Sequence, residues 1–211
     1  MSIFEEMSSF LQQGRAPKVK ELVTQALADG EDAKKILEEG LLSGMSIIGV
    51  KFKNNEVYVP EVLIAARAMN AGMDILKPAL ASNDVKAVGK AVLGTVKGDL
   101  HDIGKNLVKI MLEGKGIEVI DLGTDVAPEK FIQAAIDNNA KIVACSALLT
   151  TTMGVMKDVV EKAKEMGVRD KVAIMVGGAP VTENYRESIG ADYYSPDAAS
   201  ASDVAYQILS A

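Results

Sequence analysis

The only histidine of the chain lies between two acidic residues in the stretch GDLHDIGKN, residues 98–106. His101 follows Asp99 by two positions and directly precedes Asp102. An imidazole that binds a metal usually donates its other ring N–H to a carboxylate, which fixes the tautomer and raises the basicity of the ligand. Asp99 is placed to accept that hydrogen bond. A lone histidine in a loop is more often a surface residue, so the pair alone only indicates a candidate metal ligand.

Two further stretches have the composition of ligand-contacting loops: SALLTTT at 146–152 and GGAP at 177–180. Adjacent glycines let a ligand approach the backbone closely, although they also suit a turn. Thr150 and Thr151 could contact a ligand or cap the following helix, and Asp102 suits a helix N-cap better than a ligand contact. Cys145 lies in an apolar run and is predicted to be an inert core residue.

The second half of the chain alternates short β-branched runs with helical patterns. The runs are AVLGTV (91–96), IEVIDL (117–122), KIVACSA (141–147), KVAIMVG (171–177) and ADYYS (191–195), and helices are predicted at about 103–114, 128–138, 153–166, 180–189 and 197–210. This alternation predicts a doubly wound, flavodoxin-like five-stranded parallel sheet of order 2-1-3-4-5. In that order strands 1, 3 and 4 are neighbours, so the three polar stretches that follow them should face one crevice.

The first half is predicted to be a helical bundle, because apolar residues recur at helical spacing without strand-like alternation. One helix ends at Gly14, a second opens at Pro17, a third covers about 31–39, a fourth follows Gly40, and a fifth starts at Pro60. The apolar seam of the fifth consists of Val62, Ala66, Met69, Met73 and Leu76. Ser82-Asn83-Asp84 has the composition of a linker, which predicts a helical domain at 1–85 and the sheet domain at 88–211.

Composition excludes several classes of function. The net charge of −6 disfavours a nucleic-acid partner, and one cysteine allows no disulfide within the chain. No apolar run approaches the roughly 18 residues of a membrane span, and the acidic start MSIFEEMSSFLQQG is unlike a signal peptide, so we expect a cytoplasmic protein without membrane contact. The chain contains no G-x-G-x-x-G or Walker loop, which disfavours dinucleotides and ATP.

Three motifs at predicted strand ends together resemble the signature of cobalamin-binding proteins: Asp99-x-His101-x-x-Gly104, Ser146-x-Leu148 and Gly177-Gly178. The pattern is similar to the corrinoid proteins of methyltransferase systems and to the cobalamin module of methionine synthase. Those proteins also place a helical cap before the doubly wound domain, so the resemblance covers nearly the whole chain. It implies a cobalamin or related corrinoid bound base-off and histidine-on, with His101 as the axial cobalt ligand and Asp99 orienting it. The cofactor-binding set that it implies is Gly98, Asp99, Leu100, His101, Asp102, Gly104, Ser146, Leu148, Thr150, Thr152, Gly177 and Gly178.

The resemblance also implies individual roles. Gly104 leaves room for the corrin at the start of a helix, and Thr152 stands where methionine synthase continues its hydrogen-bond relay with a serine. Ser146, Leu148 and Thr150 line a slot for the nucleotide tail, which Gly177 and Gly178 admit. The residues expected to cover the upper corrin face are Val59, Leu63, Met69 and Met73, of which Met69 and Met73 equally suit core packing.

The implied function is that of a corrinoid methyl carrier without catalytic residues of its own. Cobalt(I) would take a methyl group from a donor-specific methyltransferase. Methyl-cobalt(III) would then pass it to an acceptor methyltransferase that uses tetrahydrofolate or a thiol, and a reductive activating protein is a further expected partner. Methanol, methylamines, betaines and aryl methyl ethers stay open as donors. The alternatives are a cobalamin-dependent sensor or regulator, the small subunit of a radical mutase, and a cobalamin storage protein.

Overall fold

The N-terminal part of the protein is a bundle of helices, as the apolar spacing predicts. The computed structural model describes residues 2–82 and 87–211. It places α1 at Ile3–Gln12, α2 at Ala16–Ala28, α3 at Ala33–Lys35, a π-helical segment at Ile36–Leu42, α4 at Ser43–Lys53 and α5 at Val59–Ser82. Ser2 and Glu5 form a capping box that starts α1. In the predicted seam of α5, Val62, Ala66, Met69 and Leu76 are buried.

The helix break predicted at Gly40 is wrong. The backbone stays helical from Ala33 to Lys53, because the junction residues Ile36 and Ser43 both keep right-handed helical dihedral angles. Gly40 lies within the π-helical segment, where an added Cβ would stand 2.5 Å from the Met7 Sδ. Glycine at this position therefore permits close packing and does not end the helix.

The C-terminal part is a five-stranded parallel sheet with helices on both faces. Its strands are β1 (Gly89–Thr95), β2 (Ile117–Asp121), β3 (Ile142–Ser146), β4 (Ala173–Gly177) and β5 (Tyr193–Tyr194). Its helices are α6 (Ile103–Glu113), α7 (Pro128–Asn138), α8 (Gly154–Glu165), α9 (Glu183–Ile189) and α10 (Ala198–Ser210), with a 3-10 turn at Arg169–Lys171. The strand order is β2-β1-β3-β4-β5, and every pairing is parallel. The predicted fold class and strand order are confirmed.

The two faces of the sheet bury separate apolar clusters. Val92, Val143 and Ile174 pack with residues of α7, α8 and α9 on one face. Leu93 and Ala144 pack with residues of α6 and α10 on the other. Alternation of side chains along each strand produces this division. Cys145 is buried in the first cluster, as predicted, and burial raises the pKa of its thiol to about 12.

The chain divides into two compact units, residues 1–86 with 114–116 and residues 87–113 with 117–211. Ser82, the first residue of the predicted linker Ser82-Asn83-Asp84, ends α5. Asn83 and Asp84 lie outside the described residues. Over 2–82 and 87–211, no helix combines the length and apolarity needed to cross a membrane.

A buried lysine ties the first turn of α6 to the end of β2. Lys105 is 2% exposed, and its Nζ donates to Asp121 Oδ1 and Asn106 Oδ1, both at 2.7 Å. Gly123 N also donates to Asp121 Oδ1 at 2.9 Å, and Lys109 Nζ stands 3.4 Å from Oδ2. Burial alone would raise the pKa of Asp121, but the Lys105 and Gly123 hydrogen bonds and the two lysine charges lower it overall.

Lys105→Met should lower the free energy of unfolding by about 2 kcal/mol at pH 7, because it leaves a half-buried carboxylate without its main counter-charge. A carboxyl group with a depressed folded-state pKa contributes stability above its unfolded pKa of about 3.9, and that contribution is lost as pH falls through the folded pKa. The difference in unfolding free energy between wild type and Lys105→Met should therefore shrink below about pH 4. Urea denaturation at pH 7 and pH 3 measures both effects.

Lys109→Met is the matched control, because its amine is more exposed and more distant from Asp121. We expect Lys109→Met to lower the free energy of unfolding by less than about 1 kcal/mol. Equal losses in the two variants, or a Lys105→Met loss that does not change with pH, would contradict the role given to the buried pair.

Candidate functional site

The three polar stretches meet at the carboxyl edge of the sheet. Thr95, Ser146 and Gly177 end β1, β3 and β4 and are register partners across these neighbouring strands. The loop with His101 follows β1, residues 147–153 follow β3, and residues 178–182 follow β4. The structure thus brings together segments that are far apart in sequence, at the place where such sheets bind ligands.

The carboxylate of Asp99 lies at the centre of this edge and is fully buried. Its Oδ1 accepts hydrogen bonds from the His101 backbone N at 3.1 Å and from the His101 Nδ1 at 2.7 Å. Its Oδ2 accepts from Leu148 N at 2.8 Å, Leu149 N at 3.2 Å and the Thr152 Oγ1 at 2.9 Å. One carboxylate therefore joins the β1–α6 loop to the β3–α8 loop.

These donors keep Asp99 ionised. Burial alone would raise the pKa of this carboxyl group. The hydrogen bonds from Leu148 N, from the imidazole and backbone of His101 and from the Thr152 hydroxyl outweigh burial and hold that pKa well below its usual range. An ionised carboxylate can only accept hydrogen bonds, so the ring proton of a neutral His101 is on Nδ1.

The other ring nitrogen of His101 is available to a ligand. The His101 side chain is 50% exposed, and within the described residues the hydrogen bonds of its ring involve Nδ1 alone. A neutral imidazole with its proton on Nδ1 presents the Nε2 lone pair, the form in which histidine binds metals. Among residues 2–82 and 87–211, no group of three or more His, Cys, Asp and Glu side chains could hold a metal ion. Through Nε2, His101 can contribute one bond to a metal.

Two residues that the sequence did not single out hold the His101 loop in place. The Thr95 Oγ1 donates to the His101 carbonyl oxygen at 2.9 Å. Asp125 accepts from Gly98 N through Oδ1 at 2.7 Å and donates through its backbone N to the Asp99 carbonyl oxygen at 3.1 Å. Asp125 has a φ of +56°, in the left-handed region that aspartate tolerates better than most residues. Asp125 belongs to no motif, so the only sequence signal for its role was its position after the end of a predicted strand.

The glycines of the site have different structural roles. Gly178 has a φ of +128°, and a Cβ there would lie 1.9 Å from the Ala147 carbonyl oxygen, so the turn itself requires glycine. A Cβ on Gly177 would lie 3.3 Å from the Ser195 carbonyl oxygen. For Gly104, in the first turn of α6, an added Cβ would meet no described heavy atom within 4 Å. The space beside Gly104 is open to a ligand.

Exposed apolar side chains flank His101. Leu100 is 73% exposed and Ile103 is 77% exposed, while Leu148 and Leu149 on the neighbouring loop are 44% and 40% exposed. Single exposed apolar residues are common, but several beside a half-exposed imidazole form a surface that an apolar ligand can cover.

The remaining predicted residues occupy several environments. Asp102 is exposed, and its Oδ2 accepts from the Asn106 side-chain amide at 3.2 Å. Ser146 is half-buried and Thr150 is exposed. The four predicted cap residues all lie on α5: Met69 is buried, Val59 and Met73 are half-buried, and Leu63 is 47% exposed.

Comparison with known proteins gives concordant results for both parts of the chain. A family model described as a B12 binding domain matches residues 89–202, and a second model with the same description matches residues 3–77. Trimethylamine corrinoid protein 1 of Methanosarcina acetivorans is 43% identical over 180 residues, which cover 84% of this chain and 83% of that protein. A corrinoid protein of Desulfitobacterium hafniense is 38% identical over 212 residues, covering 99% and 98% of the two chains.

Solved structures of corrinoid and cobalamin-binding proteins also match this chain. A cobalamin-binding protein from Desulfitobacterium hafniense matches with a TM-score of 0.80 and 32% identity, over 97% of this chain and 98% of that one. The methanol:cobalamin methyltransferase complex of Methanosarcina barkeri contains a chain that matches with a TM-score of 0.87 and 28% identity, over 98% of this chain and 79% of that one. The chain therefore belongs to the B12-binding corrinoid proteins that are associated with methyltransferase systems.

Proposed function

We propose that this protein is a methyl carrier that holds a corrinoid with His101 as the axial cobalt ligand. The Asp99–His101 pair is the observation that carries the proposal: a fully buried carboxylate fixes Nδ1 of an imidazole whose side chain is 50% exposed, and Nε2 is left for a ligand. A carboxylate behind the imidazole is the usual arrangement for a metal-bound histidine. When bound, the corrinoid supplies the transfer chemistry, because cobalt(I) accepts a methyl group and methyl-cobalt(III) donates one.

The residues at the sheet edge fit such a ligand. The open space beside Gly104 and the exposed Leu100 and Ile103 offer an apolar surface next to His101 for a large macrocycle. Ser146 and the Gly177-Gly178 pair at the end of β4 are assigned to the nucleotide tail, which implies base-off binding. In this proposal, residues 88–211 bind the corrinoid and residues 1–85 form the cap. Of the candidate cap residues, Leu63 has the most exposed surface for a ligand, whereas core packing accounts for the buried Met69.

The Thr152 hydroxyl can change how strongly the Asp99 carboxylate is stabilised beside His101. Its hydroxyl carries one proton and has two acceptors, Asp99 Oδ2 and the Leu149 carbonyl oxygen, each at 2.9 Å. Rotation of the hydroxyl alone therefore strengthens or weakens the stabilisation of the Asp99 charge. The same carboxylate orients the His101 imidazole through Nδ1.

The names of the relatives indicate which partners to test first. They include trimethylamine and dimethylamine corrinoid proteins, and the matched complex is a methanol:cobalamin methyltransferase. We propose a donor-specific methyltransferase as one partner, with methylamines as the first donors and methanol as the next. An acceptor methyltransferase and a reductive activating protein complete the proposed cycle in the cytoplasm.

The carrier function is tested by methyl uptake. Protein reconstituted with cobalamin and reduced to cobalt(I) should take a methyl group from a methylamine or methanol when the cognate methyltransferase is present. Loss of the cobalt(I) absorption measures the rate. If the reduced protein accepts no methyl group from any donor on the panel with its methyltransferase, a storage or sensor function should replace the carrier function.

Asp99→Asn and Asp102→Asn form a matched pair of substitutions on the two sides of His101. Asp99→Asn should reduce the uptake rate or corrinoid retention by about 10–100-fold, because the amide no longer orients and polarises the imidazole. Asp102→Asn should behave like wild type, since its exposed carboxylate contacts Asn106 and not the His101 ring. Equal effects of the two substitutions would argue against the role assigned to Asp99.

Thr152→Val should destabilise the protein even without cofactor. The substitution keeps the shape of the side chain but removes a donor to a buried carboxylate, which should cost about 1–2 kcal/mol of unfolding free energy. Thr152→Ser retains the hydroxyl and should cost less, and Thr151→Val at the exposed neighbouring position should be nearly neutral. Urea denaturation of the three cofactor-free variants measures the order of their unfolding free energies. A Thr152→Val protein as stable as wild type would refute the contribution of the Thr152 hydrogen bond to stability.

A further inference from the structure

We propose that Ser195 donates a hydrogen bond to the nucleotide tail of the bound corrinoid and thereby selects corrinoids with a complete tail. This inference rests on the proposed function. Ser195 lies outside the three motifs and directly follows β5.

The hydroxyl of Ser195 lacks the partner that a buried polar group requires. Ser195 is 8% exposed, and its Oγ is a buried side-chain atom with no hydrogen-bond partner among the described residues. Other buried hydroxyls are satisfied: Ser202 donates to the Ala199 carbonyl oxygen, and Thr95 donates to the His101 carbonyl oxygen. Buried polar groups without partners are rare in folded proteins and commonly indicate a missing ligand or ion.

Ser195 lies beside the glycine pair assigned to the nucleotide tail. Its backbone N donates to the Val176 carbonyl oxygen at 3.4 Å, and a Cβ on Gly177 would stand 3.3 Å from its carbonyl oxygen. Val176 and Tyr194 both pack against the cluster of α7, α8 and α9. Because side chains alternate along extended backbone, Gly177 and Ser195 face the opposite side, where α6 and α10 cover the sheet.

That side of the sheet offers a tail mostly apolar surfaces. The sheet residue Ala144 and the α10 residue Ala201 belong to the cluster there, and Gly177 has no side chain. A nucleotide tail carries a phosphate and ribose oxygens, which lose hydrogen bonds to water when they enter such a slot. The Ser195 hydroxyl can donate to one of these oxygens, so ligand and protein each satisfy a group that is otherwise buried without a partner.

Binding of cobalamin and of cobinamide, which lacks the nucleotide tail, tests the assignment. The full-length cofactor-free protein and its Ser195→Ala variant are titrated with each compound. Ser195→Ala should weaken cobalamin binding about tenfold, through loss of one hydrogen bond to a charged or polar group, and should leave cobinamide affinity unchanged. Without ligand, the variant should unfold at a urea concentration no lower than wild type, because no hydrogen bond within the protein is lost.

Ser202→Ala is the matched control, since Ser202 is also buried but its hydroxyl already has an acceptor. It should not change the preference for cobalamin over cobinamide. An unchanged preference in Ser195→Ala, or equal weakening of both ligands, overturns the assignment of Ser195 while wild-type cobalamin binding still supports the proposed function. If wild type binds neither compound, both the assignment and the proposed function fail.

Discussion

The buried carboxylate of Asp99 is the group on which the geometry of the site depends. An unpaired charge at this depth would cost several kcal/mol, so the surrounding backbone must supply donors. Those donors come from the β1–α6 loop and from the β3–α8 loop. The same contacts that stabilise the charge therefore fix both the orientation of His101 and the position of the second loop, and neither loop can move without weakening the other.

The topology of the sheet makes this arrangement possible. Leu148 N reaches Asp99 because β1 and β3 are adjacent, although the two residues are far apart in sequence. On the other flank of β1, the loop after β2 contributes Asp125, and Lys105 anchors the first turn of α6 to the end of β2. The His101 loop is thus held from both neighbouring strands, while Leu100 and Ile103 are exposed and the His101 side chain is half-exposed. Such a preorganised imidazole can bind a metal with little further loss of conformational freedom.

The parts of the structure that depend on repeating local patterns were predictable from the sequence. The period of the apolar residues predicted the helical bundle, and the alternation of strand and helix patterns predicted a doubly wound parallel sheet, whose strand order followed from that fold class. Residue type and spacing predicted the Asp99–His101 contact. The helix break predicted at Gly40 was wrong. Glycine stands at this position because the Met7 side chain packs closely against it, and no local sequence pattern encodes such a contact between helices. The buried Lys105 and the left-handed Asp125 were missed for a similar reason, since their partners come from other elements.

The central claim is that Nε2 of His101 binds cobalt, and it can be tested by paramagnetic resonance of the cobalt(II) state. The chain contains one histidine, so growth on nitrogen-15 histidine labels that imidazole alone. With unlabelled protein, coupling to one axial nitrogen should split the cobalt lines into triplets, and the label should convert these triplets into doublets. Triplets that persist in the labelled protein would show that the axial nitrogen belongs to the nucleotide base of the cofactor, and would contradict histidine-on binding.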